Sequence, residues 1–170
     1  MIAPHTPALS PPAGLLLRRL AIVQRPYDHP DALALVWAIF EDQVHRYGFA
    51  DPAQADTASY APPDGAFLVG YLDGAPMACG GFRSHDQPSD TVEIKKMYTL
   101  PQYRRRGLGR AILRDLERRA RACGARRVVL ETGVRNTGAL ALYRGLGYQP
   151  TDAYVPGRDP KINRAFTKPL

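Results

Sequence analysis

The stretch VEIKKMYTLPQYRRRGLG, Val92 to Gly109, decides how the rest of the chain is read. Thr91 to Tyr98 alternates apolar and polar residues, the period of a half-buried strand. Pro101 marks a turn, three arginines and Gly107-Leu108-Gly109 follow, and Arg110 to Cys123 then runs with a helical period. A strand, a basic glycine turn and a helix N-terminus succeed one another. The first N–H groups of a helix lack intrahelical partners, point into such a turn and, with the helix dipole, favour an anion there. Glycine admits close backbone approach, and arginine adds a fork of donors. The stretch predicts a site for a di- or polyphosphate tail.

Downstream, the helix places Ile112, Leu113, Leu116, Ala120 and Cys123 on one face, and Gly124 ends it. Arg127 to Glu131 (RVVLE) reads as a short buried strand, parallel to the one before the helix. Asn136 to Arg144 is a second short helix stopped by Gly145 and Gly147; Tyr148 starts a strand, and Ala165 to Lys168 supplies the last. Upstream, Ala66 to Tyr71 and Pro76 to Arg83 form a hairpin about Asp73-Gly74. Asp51 to Gly65 is a loop. Ala32 to Tyr47 is an amphipathic helix with Asp31 as N-cap and Gly48 as terminator, in which Trp37 and Phe40 read as core. Leu15 to Gln24 reads as the first strand. Met1 to Gly14, with four prolines, reads as a mobile tail, leaving 15–170 as a single domain. The fold class is α/β: a mixed sheet with helices on both faces.

The 170 residues suffice for one domain with a real core, and the 45% hydrophobic and 23% charged shares are ordinary for a soluble protein. Lys plus Arg exceed Asp plus Glu by 23 to 16, and much of that excess lies between Lys95 and Arg121. A phosphate-bearing ligand explains such a local cluster, and no nucleic-acid-binding motif accompanies it. Cys79 and Cys123 lack the spacing of a metal site or disulfide scaffold and read as small core residues. No signal peptide or spanning segment is visible, so the expected location is the cytoplasm, with no membrane partner and no metal.

Other phosphate motifs fail. A Walker loop needs GxxxxGK[ST], and a dinucleotide fingerprint needs a third glycine where Ile112 stands. Glu131, 22 residues after Gly109, sits near the spacing of a ribose-binding acid, but no second nucleotide-binding half follows. Arg104-Arg105-Arg106-Gly107-Leu108-Gly109, with Asn136 and ALYRGLGY (Ala141 to Tyr148) downstream, resembles the GNAT superfamily of N-acetyltransferases over nearly the whole chain. The resemblance implies a mostly antiparallel sheet of six to seven strands, splayed between its two parallel middle strands. It implies acetyl-CoA as donor and an amine as acceptor, with direct transfer in a ternary complex.

By that resemblance the pyrophosphate sits on the backbone of Arg105, Arg106, Gly107, Leu108, Gly109 and Arg110, with arginine side chains including Arg104 adding charge. The pantetheine arm pairs with Met97, Tyr98 and Thr99, and a backbone N–H there polarises the thioester. Asn136 is an N-cap and no more, or one that also contacts the CoA arm, and Tyr143, seven residues on, is the general acid for the leaving thiolate, its alternative being a core aromatic. An acceptor ammonium has no lone pair and must lose a proton. Glu93, facing opposite to Val92 and Ile94, is the candidate base; its alternatives are a solvated carboxylate or a partner of Lys95, and a bulge would change its face. Tyr154, Arg158, Asn163 and Arg164 are candidates to border the acceptor, and the two arginines lean towards one with a carboxylate. Small amines, amino acids, antibiotics, and protein N-termini or lysines all stay open as acceptors. So do a homodimer and a non-catalytic CoA sensor.

Overall fold

The computed structural model describes residues 13–52, 57–85 and 90–170. The expected tail over residues 1–14 falls almost wholly outside these. Helix α1 (Ala13–Arg19) leads into β1 (Leu20–Gln24), then α2 (Pro30–Tyr47), β2 (Gly65–Leu72), β3 (Ala75–Ser84) and β4 (Thr91–Thr99). After these come α3 (Leu108–Ala122), β5 (Arg127–Gly133), α4 (Thr137–Arg144), β6 (Gln149–Thr151) and β7 (Asn163–Pro169). The seven strands form one sheet in the order β1-β2-β3-β4-β5-β7-β6, antiparallel throughout except for β4 and β5.

Two apolar clusters flank the sheet. Leu16 of α1, Leu108, Ile112, Leu113 and Leu116 of α3, and Tyr143 of α4 pack with Val92, Ile94, Val128 and Leu130. Ala32, Leu35, Val36 and Ile39 of α2 pack with Phe67, Val69 and Cys79 on the other face. The expected helices on both faces are therefore present, and the Asp73-Gly74 hairpin has the positive φ values of 51° and 80° that its turn requires.

Several local expectations are corrected. Leu15 to Arg19 is helical rather than strand: LLL does not alternate, and a turn of helix buries Leu16. The cap of α2 is His29, whose Nδ1 accepts from the Asp31 N–H at 3.2 Å, because Pro30 occupies the first helical position. Trp37 is 49% exposed and Phe40 only partly buried. Helix α2 carries two adjacent apolar stripes of one period, and the sheet takes Ala32, Leu35, Val36 and Ile39. Cys123 is exposed, because α3 ends before it, whereas Cys79 is buried as expected.

A bulge in β4 governs the site. Cys79 pairs with Tyr98 and Gly81 with Lys95, so Gly80 alone opposes Lys96 and Met97, and Lys96 takes φ 57°. The bulge lies after Glu93, which keeps the face opposite Val92 and Ile94. It reverses the alternation beyond, so Met97 joins the α3 side and Tyr98 the α2 side.

The far end of the sheet is tied by a buried carboxylate. Glu117 of α3 accepts from the Tyr148 hydroxyl at 2.9 Å and from Lys168 Nζ at 2.9 and 3.0 Å. Removing it strands a buried phenol and a half-buried ammonium, so Glu117→Ala should lower unfolding free energy by about 1–3 kcal/mol in urea titration.

Candidate active site

Parallel pairing of β4 with β5 runs from Thr91↔Arg127 to Ile94↔Leu130 and stops, although β4 continues to Thr99 and β5 to Gly133. The strands part at Lys95 and Glu131, and a cleft opens there. It is lined by Glu93, Lys95 to Tyr98, Glu131 to Gly133, Asn136 and Tyr143, with α2 and Arg158 as further walls. Beyond the fork, the edge of β4 that faced β5 carries backbone groups with no ladder partner, as a strand-like ligand requires.

The turn after β4 is shaped for an anion. Arg105 (φ 62°) and Gly107 (φ 89°) are left-handed on either side of Arg106, which turns successive N–H groups to one side. No side chain caps α3, so its first N–H groups face the turn. Arg105 and Arg110 are exposed and make no ion pair among the described residues. Leu108 is buried, so only its backbone can contribute. Arg104 is committed elsewhere: it donates to the Thr99 carbonyl at 3.0 Å and to Asp42 at 2.9 Å, and its guanidinium lies 5.4 Å from the Tyr98 ring centroid.

Asn136 caps α4, accepting from the Ala139 N–H at 3.3 Å, which carries Tyr143 to the cleft. Burial pushes the Tyr143 phenol well above its ordinary value, so it stays protonated. Above the fork, Tyr47 of α2 crosses so close to Gly133 that any Cβ there would collide with its hydroxyl. That hydroxyl accepts from the Arg135 N–H at 3.1 Å, while Arg46 and Arg135 each donate to the other's carbonyl. Helix α2 is thereby fastened to the β5–α4 connection.

Glu93 is in the site, but as a saturated ion-pair hub rather than an open carboxylate. Its Oε2 accepts from Arg83 Nε at 2.9 Å and Nη2 at 2.8 Å; its Oε1 accepts from Lys95 at 3.2 Å and Tyr154 at 3.1 Å. Burial opposes its ionisation, yet Lys95 and Arg83 outweigh burial and hold its pKa below the ordinary range. Glu93 thus stands as an ion-pair partner of Arg83 and Lys95.

Glu131, which the sequence offered only as a ribose-binding acid, is the opposite case. Its Oε2 accepts from Arg158 at 3.2 Å, while its Oε1 is buried with no partner. Burial dominates and raises its pKa despite Arg158 and Lys95. Its signal in the sequence was its position, the last residue of RVVLE and the first beyond the paired segment. Of the other candidates, Tyr154 and Arg158 reach the site. Asn163 lines the cleft, while exposed Arg164 bonds the Pro160 and Asn163 carbonyls.

A seven-stranded mixed sheet whose parallel middle strands part beside a basic glycine turn and a tyrosine defines an acyltransferase of the GNAT fold. The sequence profile of the Acetyltransferase (GNAT) family matches residues 31–148, and the chain belongs to that family. An IAA acetyltransferase of Azospirillum brasilense is 34% identical over 76% of this chain and 87% of its own. An aminoglycoside N(6')-acetyltransferase type 1 of Stenotrophomonas maltophilia is 30% identical over 65% and 76%. A Klebsiella pneumoniae structure named as an acyl-CoA N-acyltransferase superposes with TM-score 0.75 at 26% identity, covering 89% of this chain and 97% of its own. The family implies an acyl-CoA co-substrate, which the turn and the unpaired strand edge fit. No helix among the described residues is long and apolar enough to cross a membrane.

A carboxylate whose pKa is lowered on folding adds stability above its unfolded pKa and loses it as pH falls through its folded one. Wild type should therefore exceed Glu93→Gln in stability at neutral pH. The gap should close below pH about 4, measured as urea midpoints across pH.

Proposed function

We propose that the protein transfers the acetyl group of acetyl-CoA to a primary amine by direct attack in a ternary complex. The observation that carries this reading is the fork itself, where an unpaired β4 edge, an orphaned carboxylate oxygen and a protonated tyrosine meet. In this reading the backbone from Arg105 to Arg110 holds the pyrophosphate, with the Arg105 and Arg110 side chains adding charge. Arg104 braces the turn against α2. The pantetheine arm pairs with Met97 and Tyr98 and passes Thr99, and Asn136 orients α4 beside it.

Glu131, in place of Glu93, receives the proton of the acceptor, directly or through a water. The free amine attacks the thioester carbonyl, whose oxygen is polarised by a backbone N–H near Met97 or Tyr98. The C–S bond breaks, the new C–N bond remains, and the departing thiolate takes the Tyr143 proton, which solvent later restores. Buried Cys79 holds its thiol protonated in the sheet, which speaks for direct transfer over an acyl-cysteine intermediate.

Release of free CoA thiol across a panel of amines tests the reading. CoA binding without thiol release from any amine would overturn it. With a competent amine, Tyr143→Phe should keep CoA affinity and lower kcat by about a hundredfold or more, and Glu131→Gln should do likewise. The rise of kcat/KM with pH, set by a carboxylate titrating above its usual range, should vanish in Glu131→Gln; an unchanged profile would remove Glu131 from this role.

A further inference from the structure

The turn between β4 and α3 is made of backbone that is free to relax. Gly107 sits at φ 89° and ψ −4°, yet glycine populates positive and negative φ about equally, so its own stereochemistry does not hold it there. No side chain caps α3 at this residue. The entry to the turn is fixed by Arg104, which bonds the Thr99 carbonyl and Asp42. The exit is fixed by the Ala111 N–H, which donates to the Gly107 carbonyl at 3.0 Å. Whatever steadies the backbone between these points decides whether the N–H groups of residues 105–109 converge.

Helix α1 carries none of the groups assigned to acetyl transfer, but its last turn reaches this backbone. A Cβ built on Gly107 would lie 3.2, 3.6 and 3.8 Å from Cδ1, Cδ2 and Cγ of Leu17, and its three nearest neighbours all belong to that leucine. Leu17 therefore fills the space that a side chain at position 107 would take. The leucine is itself held from both sides. Leu16 is buried in the cluster that contains Leu108 and Ile112 of α3, and Arg19 donates through Nε to Asp73 of the β2–β3 hairpin at 3.0 Å.

We propose that Leu17 is a positioning residue for the pyrophosphate of the acyl-CoA. Packed against Gly107 from outside the turn, it keeps that residue left-handed and the N–H groups of residues 105–109 aimed at one anion. The inference rests on the acyl-CoA half of the transfer reading and adds to it a residue far from the turn in the chain. Its size follows from the population of the competent turn. A turn that is competent about a tenth of the time binds about tenfold more weakly, because the apparent Kd is the intrinsic one divided by that fraction.

The test empties the contact with Leu17→Ala and refills it with Leu17→Met, whose side chain has similar volume. Leu17 is 40% exposed, so its truncation leaves a surface gap rather than an internal cavity, and thermal melting verifies that both variants fold. Calorimetric titration of the full chain with CoA should show affinity about tenfold weaker in Leu17→Ala and within about twofold of wild type in Leu17→Met. With a competent amine, Leu17→Ala should raise KM for acetyl-CoA about tenfold and leave kcat within about twofold. S-acetylpantetheine, which carries the thioester without the pyrophosphate, should lose less than about twofold in kcat/KM.

CoA affinity unmoved in folded Leu17→Ala would overturn the inference. So would an equal loss with acetyl-CoA and S-acetylpantetheine, which would make α1 a general support of the fold. Thiol release from no amine, with the tenfold loss of CoA affinity still seen, would remove the transfer reading and leave this one standing. Wild type that binds no CoA would remove both.

Discussion

The parallel hydrogen bonding between β4 and β5 ends after Ile94 and Leu130, and the rest of the site follows from that ending. A sheet with its ladder complete would present no unpaired backbone edge and no cleft. Two features keep the strands apart. The bulge at Lys96 and Met97 redirects the end of β4, sending Met97 towards α3 and Tyr98 towards α2. On the other side β5 is held through Gly133 by its full antiparallel pairing with β7. Each strand thus satisfies its outer edge and leaves its inner edge open.

The open fork would be expensive to maintain if its charges were unpaired, because burial penalises an isolated ion far more than a hydrogen-bonded one. Glu93 and Asp51 are matched by Arg83, Lys95 and Arg158, so the walls are close to neutral and fixed in place. Against that background the vacant lone pair of Glu131 stands out. Two glutamates within one cleft thus differ in behaviour by environment: one is stabilised as an anion by four donors, and the other is made more basic by burial.

Helix α2 joins the two halves of the site. Asp42 binds Arg104, which also holds the Thr99 carbonyl at the entry to the glycine turn, and Tyr47 rests on Gly133 at the far side of the fork. The helix therefore spans from the glycine turn to the α4 connection, and Arg104 links it to that turn. Three consecutive arginines thereby sit differently: Arg104 bonds Thr99 and Asp42, Arg105 is exposed at the turn, and Arg106 lies over the Tyr103 ring at 5.8 Å.

Local chemistry alone determined the element order from β1 onward, the Asp73-Gly74 hairpin, the glycine turn before α3, the Asn136 cap and the position of Tyr143 on α4. Each depends on residues close in sequence, through periodicity, turn stereochemistry or capping. The same local rules could not choose between the two apolar stripes of α2, because both share one period and only docking on the sheet selects Leu35 over Trp37. Nor could they tell Glu93 from Glu131. Both are strand glutamates in apolar company. Their difference arises from Arg83, Tyr154, Asp51 and Arg158, which lie 10 to 107 residues from their partners in the chain. Which carboxylate is saturated and which is left open was decided only when the sheet brought those distant charges together.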